Sequence, residues 1–175
     1  MLKLFIAALL TLALGTGVNA ASELVLHEEG RWTVQLSKED DGELSCMASV
    51  TAMERNNDDN FWLLILAYNK DLVLSGNIVG EAVPTLLQGK IVSLRPLRYD
   101  DPNKFETVIT KVMTNGPIVG WIVNDELRKT FLKPLSSSDA LVVRINDTEA
   151  GNIWFSLDGF NSSLIALNDC AEMLK

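Results

Sequence analysis

Cys46 and Cys170 stand near opposite ends of the sequence, and no third cysteine competes for either. A fold that joins them must lay an early strand beside the last segment of the chain. Whether they join depends on compartment, because disulfides persist outside the reducing cytosol. Residues 1–20, MLKLFIAALLTLALGTGVNA, address that point. Lys3 supplies a positive start, Leu4 to Leu14 an apolar run, and Val18 and Ala20 the small residues before a cleavage point. This is the pattern of a secretory signal peptide. Its apolar run is shorter than the roughly 20 residues of a membrane-spanning helix. No second run of that length follows, and no cysteine at the cleavage point invites a lipid. The expectation is a leader over 1–20 and a single β-rich domain over 21–175, periplasmic or secreted. No integral membrane segment is expected after cleavage. In that setting a Cys46–Cys170 disulfide is favoured over two buried thiols, and without a C-x-x-C motif a redox pair has no support.

The remaining sequence is patterned mostly for strands. Trp32, Val34 and Leu36 alternate with polar residues, the period of a half-buried strand. An Asp41–Gly42 turn signal separates it from Leu44–Ala52, where Cys46 shares a face with Ala48 and Val50. The polar cluster ERNNDDN ends that strand. FWLLILAY is continuously apolar and reads as a strand covered on both faces. Asn69–Asp71 turns the chain into DLVLSGNIV, completing an antiparallel meander. IVSLRPL reads as a strand ended by Pro96, FETVITKVM as one alternating strand, and IVGWIV as another apolar one. Asn124 can cap a short helix, DELRKTFLK, that Pro134 stops. ALVVRIND and NIWFSLD follow as strands.

Near the C-terminus the period changes. Phe160, Leu164, Leu167, Ala171 and Leu174 recur at helical spacing, with Asn161 or Asp158 as the expected cap. Cys170 falls on the apolar face of this helix and Cys46 on the apolar face of its strand, so both thiols point inward. The fold class is mainly β (α+β): an antiparallel β-sandwich or partly open barrel with a C-terminal amphipathic helix.

Chemistry is constrained by what is scarce. His27 is the sole histidine, so a multi-histidine zinc site cannot form and any His-based triad would need this one residue. The paired carboxylates, Asp40–Asp41, Asp58–Asp59 and Asp100–Asp101, each sit in a turn beside Gly, Asn or Pro, which turn chemistry explains. No EF-hand loop, Walker loop or GxGxxG is present. The chain is expected not to be an enzyme and to need no cofactor or metal. A formal charge of −8 argues against nucleic acid as a partner.

What is left is binding. Trp154 alternates away from Ile153 and Phe155 and is the tryptophan expected at the surface. Lys90, Arg95 and Arg98 gather positive charge around IVSLRPLR, and Arg128, Lys129 and Lys133 do so on the short helix. Such basic islands in an acidic chain suit an acidic partner. Trp154, Lys90, Arg95 and Arg98 are the candidate partner-binding residues.

The leader, the W-x-V strand at Trp32–Val34, the Cys46-Met47-Ala48 step and the closing FSLDGFNSSLIALNDC resemble the invasion-associated locus B family of exported bacterial proteins. Phe155, Leu157, Gly159, Leu164, Leu167 and Cys170 carry the closing block. The resemblance implies an exported β-rich domain, in some members tied to host-cell invasion, and supplies no catalytic residues. The leading expectation is therefore an exported non-enzymatic interaction protein with a protein partner. An inhibitor or immunity-type protein that blocks an exported enzyme, using NNDDN or YDDPN as a protruding loop, is one alternative. A small-ligand carrier with FWLLILAY lining its pocket is another.

Overall fold

Alternating side chains give this chain strands, and the strands form two antiparallel sheets. A computed structural model describes residues 23–38, 42–53, 61–80, 91–111, 113–115, 118–145 and 152–175. The leader, the NNDDN stretch, Lys90, and the acidic pairs Asp40–Asp41 and Asp58–Asp59 lie outside the described residues.

The strands are β1 (Glu23–Glu29), β2 (Trp32–Lys38), β3 (Leu44–Thr51), β4 (Trp62–Tyr68), β5 (Leu74–Gly80), β6 (Ile91–Leu97), β7 (Val108–Lys111), β8 (Met113–Asn115), β9 (Ile118–Ile122), β10 (Ala140–Ile145) and β11 (Asn152–Ser156). A seven-stranded sheet runs β1-β2-β3-β4-β5-β9-β8, and a four-stranded sheet runs β11-β10-β6-β7. Neither sheet closes on itself, so the architecture is a sandwich rather than a barrel. The meander of β2 to β5 is as the sequence implies, and helix α3 (Phe160–Glu172) lies against β1, β2 and β3.

The core between these layers is apolar and aromatic. Trp32, Trp121, Phe131, Phe155 and Phe160 are all fully buried there. Trp32 meets Phe160 edge-to-face at 5.1 Å, and its indole N–H donates to the Ser156 carbonyl at 3.0 Å. That bond satisfies a polar atom that would otherwise be costly to bury. Trp121 lies over Gly76 of β5, where a Cβ would stand 2.4 Å from the indole ring. The glycine thus provides the slot that the ring fills.

Cys46 and Cys170 form a disulfide, with Cα atoms 5.9 Å apart. It ties β3 to α3, and both residues are buried. This is the bridge that the alternation of β3 and the period of α3 imply.

Several local expectations need correction. His27, which the first alternating run at Trp32 would leave ahead of the strands, lies within β1. Cys46, on the second strand that the sequence pattern marks, is therefore on the third strand of the structure. β1 escaped notice because it is exposed on both faces, so no alternation marks it. FWLLILAY is not covered on both faces. Leu64, Leu66 and Tyr68 enter the core, whereas Leu63, Ile65 and Ala67 face the other side and join no core cluster. Pro96 does not end β6. It pairs with Leu141 of β10, and on the opposite edge β7 reaches only to Leu94, so no ladder bond needs the missing N–H.

FETVITKVM is not one strand. Its residues divide between β7 in the smaller sheet and β8 in the larger one. Asn124 does cap α1 (Asp125–Leu127), accepting the Leu127 N–H at 2.9 Å. Pro134 does not stop the helical stretch, however. A π-helical turn over Arg128–Leu132 leads into α2 (Lys133–Leu135), so Pro134 falls directly after the widened turn and one residue before the helical stretch ends. Finally, α3 is capped by neither Asn161 nor Asp158. Gly159 holds that position with φ +83°, without a side-chain bond.

Candidate interaction face

The two-residue period of a strand sends Leu141, Val143, Ile153 and Phe155 into the core and their neighbours outward. On the outward face of the smaller sheet, register then decides which side chains meet. Val142 of β10 pairs with Trp154 of β11 on one side and with Arg95 of β6 on the other. One row across the sheet therefore reads Trp154, Val142, Arg95. The row on one side holds Ala140 and Leu97, and the row on the other holds Arg144 and Ser93.

This face has its own small apolar cluster. Leu97, Ala140 and Val142 are buried, and Met53 and Trp154 pack on them from the side. Met53 reaches the cluster because its backbone N–H donates to the Trp154 carbonyl at 2.7 Å, just past the end of β3. Trp154 is half-buried and packed against the cluster, so it is neither free at the surface nor part of the main core.

The arginines divide in their roles. Arg98 forms a two-pronged bond with Asp100, at 2.8 Å from Nε and 2.6 Å from Nη2. That hydrogen bond, more than any other cause, holds the Asp100 carboxyl below its ordinary value. Its charge is thereby spent within its own turn. Arg95 instead donates to neutral acceptors, the Pro102 carbonyl at 2.8 Å and Asn103 Oδ1 at 3.3 Å. Arg144 is exposed and has no ion-pair partner among the described residues. The face thus presents two arginines that no described carboxylate neutralises, beside a tryptophan.

Of the residues singled out from the sequence, Trp154 and Arg95 come together here. Arg98 stands at the rim, committed to Asp100, and Lys90 lies outside the described residues. Arg144, Val142 and Met53 were not anticipated. The alternation of ALVVRI does place Val142 and Arg144 on one face, but only the strand register reveals what lies beside them.

The loop after β6 is braced. Besides the two arginines, Asp139 accepts the Tyr99 N–H at 2.7 Å. Asp139 is itself fixed by its backbone, its N–H donating to the Leu97 carbonyl at 2.8 Å and its carbonyl accepting from Leu157 at 3.1 Å. Tyr99, Asp100 and Asp101 project from this frame, all exposed.

Elsewhere the structure assigns structural work to other candidates. Arg128 lies over the Tyr68 ring and donates to its hydroxyl at 3.1 Å, and that hydroxyl donates to Asn168 Oδ1 at 3.1 Å. The basic island on the helix therefore uses Arg128 to link the sheet to α3, leaving Lys129 and Lys133 exposed. His27 has Glu29 at 3.6 Å, beyond hydrogen-bond range. Among the described residues, no group of three or more His, Cys, Asp or Glu converges as a metal site. Among them also, no helix is long and apolar enough to cross a membrane.

Comparison of the chain with family models, curated proteins and solved structures gave no match.

Proposed function

We propose that this chain is an exported, non-enzymatic interaction protein, acting in the periplasm or outside the cell, that holds an acidic protein partner on the outer face of its four-stranded sheet. The row Trp154–Val142–Arg95, extended by Arg144, carries this reading. Tryptophan and arginine are the side chains that most often dominate interface energies, because each combines a large buried contact with directed polar bonds. Here they sit on paired strands rather than on loops, so little ordering is needed on binding. The disulfide supports an oxidising compartment. The resemblance to invasion-associated proteins adds a host-cell surface as one destination.

Affinity capture from periplasmic and host-cell extracts tests this. The native chain is expected to retain a partner that the Trp154→Ala and Arg144→Glu variants release. Equal capture by all three would refute the assignment of the face. A turnover activity abolished by substituting a turn carboxylate such as Asp101 would refute the non-enzymatic reading.

A second reading, an inhibitor of an exported enzyme, is favoured by the braced Tyr99–Asn103 loop. A loop already held in one conformation loses little freedom when it enters a cleft. Inhibition of a cell-wall hydrolase that disappears in a Tyr99→Ala variant would select this reading over the first. A carrier finds less support, because Leu64 and Leu66 of β4 join Trp121 and Phe131 in one packed core.

A further inference from the structure

The two outer faces of the sandwich differ in kind. The smaller sheet shows arginines, whereas the larger one shows no charge over most of its width. On β2, β3, β4, β5 and β9, no outward position among the described residues is Asp, Glu, Lys or Arg. The large apolar members are Met47, Leu63, Ile65, Val79, Ile118 and Ile122, with Ala67 between Met47 and Ser75, and most of the rest are Ser, Thr, Asn or Gln. None of these six belongs to a core cluster; Ile122 is 46% exposed and the other five are half-buried. Charged residues make up 22% of the chain. A sheet face turned permanently to water would carry its share of them.

We infer that this face pairs with the same face of a second copy, giving a two-fold dimer of stacked sheets. Three observations select a copy over other occupants. The first is size. Five strands at about 4.8 Å spacing, each about seven residues long, give a footprint of about 570 Å². That is below the about 800 Å² each partner buries in a standard interface, and in the range of a weak, reversible dimer. The second is charge. The chain carries −8, so two copies repel wherever their charged surfaces meet, and this face lets them approach without opposing like charges. A face without Lys or Arg also gives an acidic chain no attraction to an anionic membrane. The third is the rim. Glu23 and Glu28 of β1 flank the face at one margin, paired with Ser37 and Thr33. A two-fold axis along the strand direction sets β1 of one copy over the β9 side of the other, which separates these glutamates from their own copies.

Sedimentation equilibrium of the full disulfide-bonded chain tests the inference over about 1–200 μM, the range expected of a flat interface without deep anchoring pockets. A monomer–dimer equilibrium is expected, strengthened by added salt as the net repulsion is screened. Ile65 is central, between Ser49 and Asn77. Ile65→Lys should raise Kd by at least about tenfold, since a two-fold interface carries each substitution twice. Ser49→Lys, which exchanges a smaller polar side chain, is the second variant if the first fails to fold. A measurement without substitution accompanies them. Oxidation of Met47 by dilute peroxide should slow with rising protein concentration, while Met173, 55% exposed beyond α3, keeps its rate. A chain that stays monomeric throughout, a dimer unaffected by either lysine, or equal concentration dependence at both methionines would overturn the inference. So would a monomer that binds neutral phosphatidylcholine vesicles through this face.

Discussion

Reducing the Cys46–Cys170 bond should cost this fold a large part of its stability, and the structure says how much. Both sulfurs are buried, and in the reduced chain two thiols occupy the same apolar site. Packing therefore changes little, and the main effect falls on the unfolded chain. The residues joined are 124 positions apart. In the loop-entropy relation a loop of that length gives about 5 kcal/mol at 25 °C, and native disulfides lose about 2–5 kcal/mol when removed. A domain of this size has about 5–15 kcal/mol in total. Because the bond is inaccessible, reduction should be done in denaturant and followed by refolding. Urea unfolding read by tryptophan fluorescence then compares the two forms. With a slope of about 2 kcal/mol/M, the midpoint should fall by roughly 1–2.5 M. A fall under about 0.5 M at unchanged slope would refute the argument, by showing that the unfolded chain gains almost no freedom when the link is cut.

Other perturbations follow from single contacts. Gly76→Ala places a methyl 2.4 Å from Trp121, so it should destabilise by about 1–3 kcal/mol in thermal unfolding; wild-type stability would mean the ring is free to move aside. Asn124→Ala removes the cap of α1 and should cost about 1 kcal/mol by the same assay. Asp100 should titrate below 3.8 by NMR and return to the ordinary range in Arg98→Ala. Because the folded value is lowered, this contribution is fully present above the ordinary carboxylate pKa and is lost as pH falls through the folded one. Identical titration in both proteins would show that the loop is held without that pair.

The sequence carried those parts of the fold that one strand or helix decides by itself. Val34 and Leu141 alternate with polar or outward neighbours and report their own burial. Leu167 and Ala171 do the same at helical spacing, which is why the disulfide partners were legible. The failures were non-local. Nothing in ELVLHEE signals a strand that is paired on one edge and exposed on both faces. FETVITKVM keeps its alternation while changing sheets, because period does not say which neighbour a strand selects. Gly159 took the helix cap from Asn161 or Asp158 for a tertiary reason, as a Cβ there would stand 2.1 Å from the Glu29 carbonyl oxygen. The candidate face was half legible for the same cause. Trp154 and Arg95 stood out by type, while their adjacency depends on the pairing of both strands with Val142.

That close approach at Gly159 is reciprocal. A Cβ on Gly30 would stand 2.4 Å from the Asp158 carbonyl oxygen. The β1–β2 turn and the start of α3 therefore interlock backbone to backbone, so a segment made early is completed by one made much later. On a chain synthesised from its N-terminus, the inner faces of β2 and β3 wait uncovered until residues 160–172 arrive. Folding of this kind is governed by distant contacts, so it is slow and leaves apolar strands exposed in the interval. The timing of assembly is thus written into two glycines, and a chain cut short of α3 would lose both the latch and the means to close the sheet.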